Sequence, residues 1–272
     1  MITLSLLLLL FQAEGEGFVL ERDVELVYLD TLDRKREIHR RERVSYQAGN
    51  LLVEDLTFGE KLLVRSGEKS VWVIDTLAGT WSKLEFDEIR KRQSEVLSEI
   101  SGTRKRVPGT ADEKSLTQML EGYGRFDKPP SVELRTPGKT REVLGRSCSR
   151  KDLYVNGNIR RISVYVDPSI PGEGYLQVLS KFGAFSKEES DALKGIGGLP
   201  VEGVLRYVHF LDRVLARIRV TSVRTETLSP DIFQPPTQGK EVPLARFEKP
   251  VPRDIKPPGE FLPDGTDGKE NR

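Results

Sequence analysis

Between residues 18 and 228, apolar residues recur mostly at every second position, and the runs are broken at short intervals by glycine, asparagine and charged turns. A period of two is that of a strand with one face buried and one wet. It predicts strands at Phe18–Leu29, Arg36–Ala48, Leu51–Phe58, Lys61–Arg65, Val71–Asp75 and Thr80–Leu84, with Gly49-Asn50 and Ala78-Gly79 as turns. At Phe86 the period changes. Phe86, Ile89, Val96, Leu97 and Ile100 fall near helical spacing, and Asp87–Lys91 and Glu88–Arg92 are favourable pairs one turn apart. Gly102 is expected to stop this helix, with a loop over 101–114 and a shorter helix over Ser115–Leu120. Strands resume at Ser131–Arg135 and Arg141–Leu144. A hairpin follows, Asp152–Val155 and Ile159–Val166 about the turn Asn156-Gly157-Asn158. Glu173–Phe182 and Lys187–Leu193 read as helices, and 201–211 with 213–228 as a closing strand pair. The fold class is mainly β (α+β), an antiparallel meander interrupted by helices.

The two ends follow different patterns. Leu6–Leu10 are five consecutive leucines within an apolar stretch from Ile2 to Phe11, followed at once by small and acidic residues. Ten residues of helix reach roughly 15 Å, half a bilayer core, so the stretch is too short to span a membrane and has the length of an export signal's apolar region. Ala13 and Gly15 place small residues at −3 and −1 of a cleavage site after Gly15, although no Lys or Arg precedes the leucines. Residues 1–15 are therefore read as a signal peptide, and the protein as exported, periplasmic or extracellular. From Pro235 to Arg272 the chain holds eight of its 16 prolines, with seven basic and seven acidic residues. Proline at that density fixes φ and removes backbone donors, so 235–272 is expected to be a disordered tail, acting as a spacer or as a polyproline ligand. One domain, 18–234, remains between them.

Charge narrows the function classes. Forty-three Lys and Arg against 42 Asp and Glu give +1 overall, which argues against a partner bound through phosphate neutralisation, such as nucleic acid. The basic cluster Arg34-Lys35-Arg36, Arg40-Arg41 and Arg43 is interrupted by Glu37 and Glu42 and reads as a solvated strand face. Cys148 is the only cysteine, which rules out an intrachain disulfide and fits a buried, inert thiol. His39 and His209 stand in strands without another ligand at metal-binding spacing, so neither a metal nor a cofactor is expected. No nucleophile elbow, phosphate-binding glycine loop or His-Glu-x-x-His occurs, and the richest glycine run, 195–198, sits in a helix-stop context. These features point away from an enzyme.

The order of parts resembles exported bacterial domains of unknown function that are similar in fold to the lipoprotein-localisation factors LolA and LolB. The resemblance rests on Ser70–Asp75 followed by a helix, on Thr140–Cys148 as a T-x-x-I-x-G-x-x-C type of return strand, and on Ile162–Asp167 with the two helices after it. Gly198–Val201 and the closing strand that ends at Asp231–Pro235 complete it, so that it spans roughly 18–236. It implies a single, strongly curved antiparallel half-barrel with helices covering its concave face, and a cavity for acyl chains. Trp72, Ile74, Val164, Val208, Phe210 and Ile218 are the expected lining, and the helix at 86–100 or the pair at 173–193 the expected lid. The implied partner is a lipid, an acyl chain or a lipoprotein. The alternative is a scaffold whose concave face is filled, which recruits another envelope protein through a strand edge or the Pro-rich tail.

Overall fold

The computed structural model describes residues 17–29, 35–181, 183–209 and 212–243. The expected signal peptide and residues 244–272 of the expected tail lie outside them.

The first half of the chain is a meander of six strands, β1 (Gly17–Leu29), β2 (Lys35–Gln47), β3 (Asn50–Asp55), β4 (Glu60–Arg65), β5 (Ser70–Asp75) and β6 (Thr80–Glu85). Two helices, α1 (Phe86–Arg104) and α2 (Ala111–Gly122), cross to the second half. There β7 (Val132–Arg135) and β8 (Thr140–Val143) both pair with β9 (Arg146–Val155), which forms a hairpin with β10 (Ile159–Asp167). Helices α3 (Glu173–Lys181) and α4 (Lys187–Leu193) precede β11 (Leu199–His209) and β12 (Asp212–Glu226). The halves join where β1 pairs with β12, in a register running from Gly17 opposite Glu226 to Leu29 opposite Arg213 with one bulge at Glu21/Arg22. Among the described residues the result is one 13-stranded half-barrel-like sheet, antiparallel except at a last short strand, β13 (Lys240–Glu241), which runs parallel to β6.

Alternation sorts the side chains. Along β1, Phe18, Leu20, Val24 and Leu26 point to the concave face and are buried, while Glu21, Asp23 and Glu25 point outward. The same phase in the other strands assembles a main core against α3 and α4, where Leu153, Ile162, Leu176, Leu193 and Ile196 are all fully buried. The β9–β10 turn spans residues 156–158, between the paired Val155 and Ile159, and Asn156 and Gly157 in it are both at positive φ, a region that Asn and Gly enter more readily than other residues. The β2–β3 turn lies one residue earlier than expected, at Ala48-Gly49.

Three expectations are corrected. Gly102 does not stop α1, which runs on to Arg104. That arginine donates to both carboxylate oxygens of Asp127, at 3.2 and 2.7 Å, and so ties the last turn down. The loop expected over 101–114 also ends early, because Thr110 caps α2 by accepting from the Glu113 amide at 3.2 Å. Within the segment read as tail, residues 240–242 follow the β6 edge. Lys240 N donates to Gly79 O at 2.9 Å and Val242 N to Trp81 O at 2.8 Å, through amides that the proline-free run 237–242 leaves available.

Candidate ligand-binding cavity

Three successive strands place charge in an apolar phase. On β1 the inward series is Leu20, Arg22, Val24, Leu26; on β2 it is Ile38, Arg40, Glu42, Val44; on β3 it is Leu51, Val53, Asp55. Register sets Arg22 opposite Glu42, and Glu42 opposite Asp55, so the four charged groups meet in one row and its neighbour. The reading of the basic cluster as a solvated face is corrected here. Arg41 and Arg43 do face outward, but Arg40 turns into the concave side, where its side chain is 16% exposed.

Arg22 donates through Nε to Glu42 Oε2 at 2.8 Å, with Nη2 at 2.6 Å from the same oxygen, and through Nη1 to the Tyr175 hydroxyl at 2.7 Å. Arg40 donates to Asp55 Oδ2 at 3.1 Å and to the Tyr28 hydroxyl at 2.9 Å. Its Nε lies 3.0 Å from Glu42 Oε1, but the N–H is not aimed at that oxygen and, among the described residues, has no hydrogen-bond acceptor. Asp55 is held in turn by the amides of Thr57 and Phe58 on its other oxygen. Burial is the largest influence on both guanidinium groups and disfavours their charge. It is outweighed by Tyr175 and Glu42 at Arg22, and by Tyr28, Glu42 and Asp55 at Arg40, so both are held above the ordinary arginine value. Burial, then Tyr28 and Glu42, pushes the Tyr207 hydroxyl well above the ordinary phenol value, keeping it a protonated donor. Two positive and two negative side chains make the cluster neutral overall.

Over this polar floor lies a cavity of about 120 Å³. Val24, Leu26, Leu62, Val73, Leu205 and Ile218 give it apolar walls, and Tyr175 and Leu179 of α3 line its helix side. Of the two expected lid elements, the one at the cavity is thus α3. It is held by Tyr175 on Arg22, by Arg90 donating to Lys181 O at 2.8 Å, and by Gln177 donating to Ser190 O at 2.9 Å. Elsewhere on the concave face, Leu176 and Leu193 of α3 and α4, and Ile196 just beyond, are fully buried in one core with Leu153 of β9 and Ile162 of β10.

Among the residues expected to line a cavity, Ile218 does so. Val164 is in the main core but away from the cavity. Val208 belongs to a separate cluster with Leu97, Met119, Leu120 and Tyr123 under α1 and α2. The placement of Trp72 and Ile74 on the concave face is corrected. Val71 and Val73 take that phase of β5, so Trp72 and Ile74 face the convex side. There Trp72 packs with Val19, Leu52 and Leu63 beneath Leu228 and Phe233 of the chain after β12. Phe210 lies outside the described residues. Arg22, Arg40, Glu42 and Asp55 were not anticipated, although a charge in the apolar phase of adjacent strands was the available signal.

The sequence matches no protein-family model and no curated protein. Similar solved structures include PNGF-II in space group P21, at 11% identity and a TM-score of 0.32, covering 86% of this chain and 33% of that one. A LolA superfamily protein from Nitrosomonas europaea is similar at 10% identity and a TM-score of 0.29, over 81% and 90% of the two chains. A DUF1329 family protein from Desulfovibrio piger is similar at 9% identity and 0.26, over 85% and 94%. The chain spans about a third of the length of PNGF-II. Likeness at these scores says nothing about ligand or activity.

Proposed function

We propose that this chain is a non-enzymatic exported protein of the cell envelope that binds a hydrophobic ligand, or the acyl group of a lipid-modified partner, between the half-barrel and α3. The observation that carries this reading is the cavity itself, with apolar walls over a floor that keeps one arginine N–H without an acceptor. A site that is mostly apolar with a few fixed polar groups is the usual form of a small-molecule pocket. Its size sets a condition. About 120 Å³ is close to the ~150 Å³ of a cavity that admits benzene, and well below the ~300–1,000 Å³ of a drug-sized site. The closed form therefore takes a chain end or a small amphiphile, and a whole acyl chain enters only as α3 lifts from the sheet. The fully buried core where β9 and β10 meet α3 and α4 favours the second reading, a filled scaffold that recruits an envelope partner.

Titration with a fluorescent fatty acid separates the two. The binding reading expects saturable emission at about one probe per protein. Ala216→Phe, which fills the cavity from β12, should weaken it about tenfold or more, while Trp72→Phe on the convex side leaves it unchanged. Absence of saturable binding, or equal binding by Ala216→Phe, favours the scaffold.

A further inference from the structure

The outward face of the sheet carries many arginines, and most of them are matched. Arg41 pairs with Asp23 at 3.5 Å, Arg43 with Glu21 at 2.9 Å, Arg150 with Asp152 at 3.1 Å, and Arg217 with Glu25. Arg160 and Arg206 break this rule. Among the described residues neither has a carboxylate within ion-pair distance.

Their positions are fixed by the sheet. Arg206 of β11 is half-buried, and its Nη1 donates to the main-chain oxygen of Arg160 at 2.9 Å, which holds the guanidinium against β10. Among the described residues the other nitrogens of Arg206 make no hydrogen bond. Beside it, Leu215 stands opposite Arg206 and Val204 opposite Arg217 on β12, giving the arginines an apolar surround that is only partly exposed. Arg160 itself is exposed at the start of β10. The electrostatics are the reverse of those in the cavity. Burial, and then the charges of Arg160, Arg161 and Arg217, push the Arg206 guanidinium below its ordinary value, with no carboxylate to restore it. Arg161 is not available to share a ligand, because it is buried and committed to Glu189 at 2.6 Å.

We propose that Arg160 and Arg206, with Arg217 beside them, form a binding site for a phosphate-type oxyanion on the convex face of the half-barrel. A guanidinium presents its N–H groups as a rigid fork that matches the oxygens of phosphate, and one held in place by a main-chain acceptor loses less freedom on binding than a mobile lysine. A bound dianion also relieves the repulsion between Arg160 and Arg206, the two arginines here without a carboxylate. The same chemistry is offered by inorganic phosphate and by the headgroup of an anionic lipid. This site is independent of the cavity, since the two lie on opposite faces of the sheet.

The test uses the full chain in two arms, calorimetric titration with inorganic phosphate and flotation with phosphatidylcholine vesicles that do or do not contain phosphatidylglycerol. Binding that weakens as salt is raised is expected in at least one arm. Phosphate binding assigns the small anion, and capture by phosphatidylglycerol vesicles alone assigns the lipid headgroup. Arg206→Gln and Arg160→Gln should each weaken that binding about tenfold, the loss expected for one charge-assisted contact. Arg41→Gln, which removes an arginine already paired on the same face, should leave it unchanged. The Arg160 variant alters an exposed side chain, so its reading stands even if the Arg206 variant unfolds. No binding in either arm, or binding that neither glutamine variant weakens, overturns the proposal.

Discussion

Glu42 illustrates how much one side chain can hold. It accepts from Arg22 across the β1–β2 register and lies beside Arg40 on its own strand, and it is only 4% exposed. Buried ion pairs gain little over apolar packing, yet removal of one partner strands the other charge. Glu42→Ala leaves two guanidinium groups with Asp55 as the remaining carboxylate of the cluster, and should lower unfolding free energy by about 3–5 kcal/mol in urea titration. A loss under 1 kcal/mol would mean that water already screens the row. Cys148 gives the opposite case, a reactive group made inert. It is fully buried, and burial, seconded by Asp167, raises its thiol above the ordinary value. Only the thiolate attacks a disulfide reagent, and a raised value means less thiolate at pH 8 than a free cysteine has. Native protein should therefore react with a chromogenic disulfide slowly, at a rate set by opening, and fully once urea is added. Fast stoichiometric reaction of the native form contradicts this placement.

At the scale of elements, the alternation in β1, β2 and β6 and in the β9–β10 hairpin was legible in the chain, between turn residues that break it at short intervals. β5 was not, since Val71, Trp72, Val73 and Ile74 are apolar on both phases and the sequence cannot say which faces the helices. The same ambiguity hid the convex cluster, whose cover comes from Leu228 and Phe233, outside any repeating pattern. α4 shows a local signal that was written plainly. Ser186 accepts from the Glu189 amide at 3.2 Å, and Glu189 accepts from the Ser186 amide at 2.8 Å, a capping box that starts a helix of seven residues. What the sequence hid is that Glu189 also receives buried Arg161, which in turn donates to Gly122 O at the end of α2. Ser186→Ala should cost about 1 kcal/mol, as the loss of a cap does. Glu189→Ala should cost several times more, since it also leaves Arg161 buried without its carboxylate. Equal effects in parallel denaturation curves would show that Arg161 does not depend on Glu189.

For the whole molecule, the curved sheet and the helices on its concave side place a solid core and a cavity side by side, and the division follows chemistry. Where β9 and β10 meet α3 and α4 the inward residues are branched aliphatics that interlock. Where β1 to β3 meet α3, the row Arg22, Arg40, Glu42, Asp55 and the tyrosines around it leave a gap that apolar walls do not close. The cavity was not legible from any stripe of apolar residues, because such a stripe reads alike over a filled core and over a pocket. The claim that this gap receives a hydrophobic ligand is tested most directly by native mass spectrometry of the protein purified from its own envelope, compared with Ala216→Phe. The account predicts a wild-type mass carrying a solvent-extractable lipid or acyl adduct that the variant lacks. A bare polypeptide mass, unchanged after incubation with extracted envelope lipids, would contradict it.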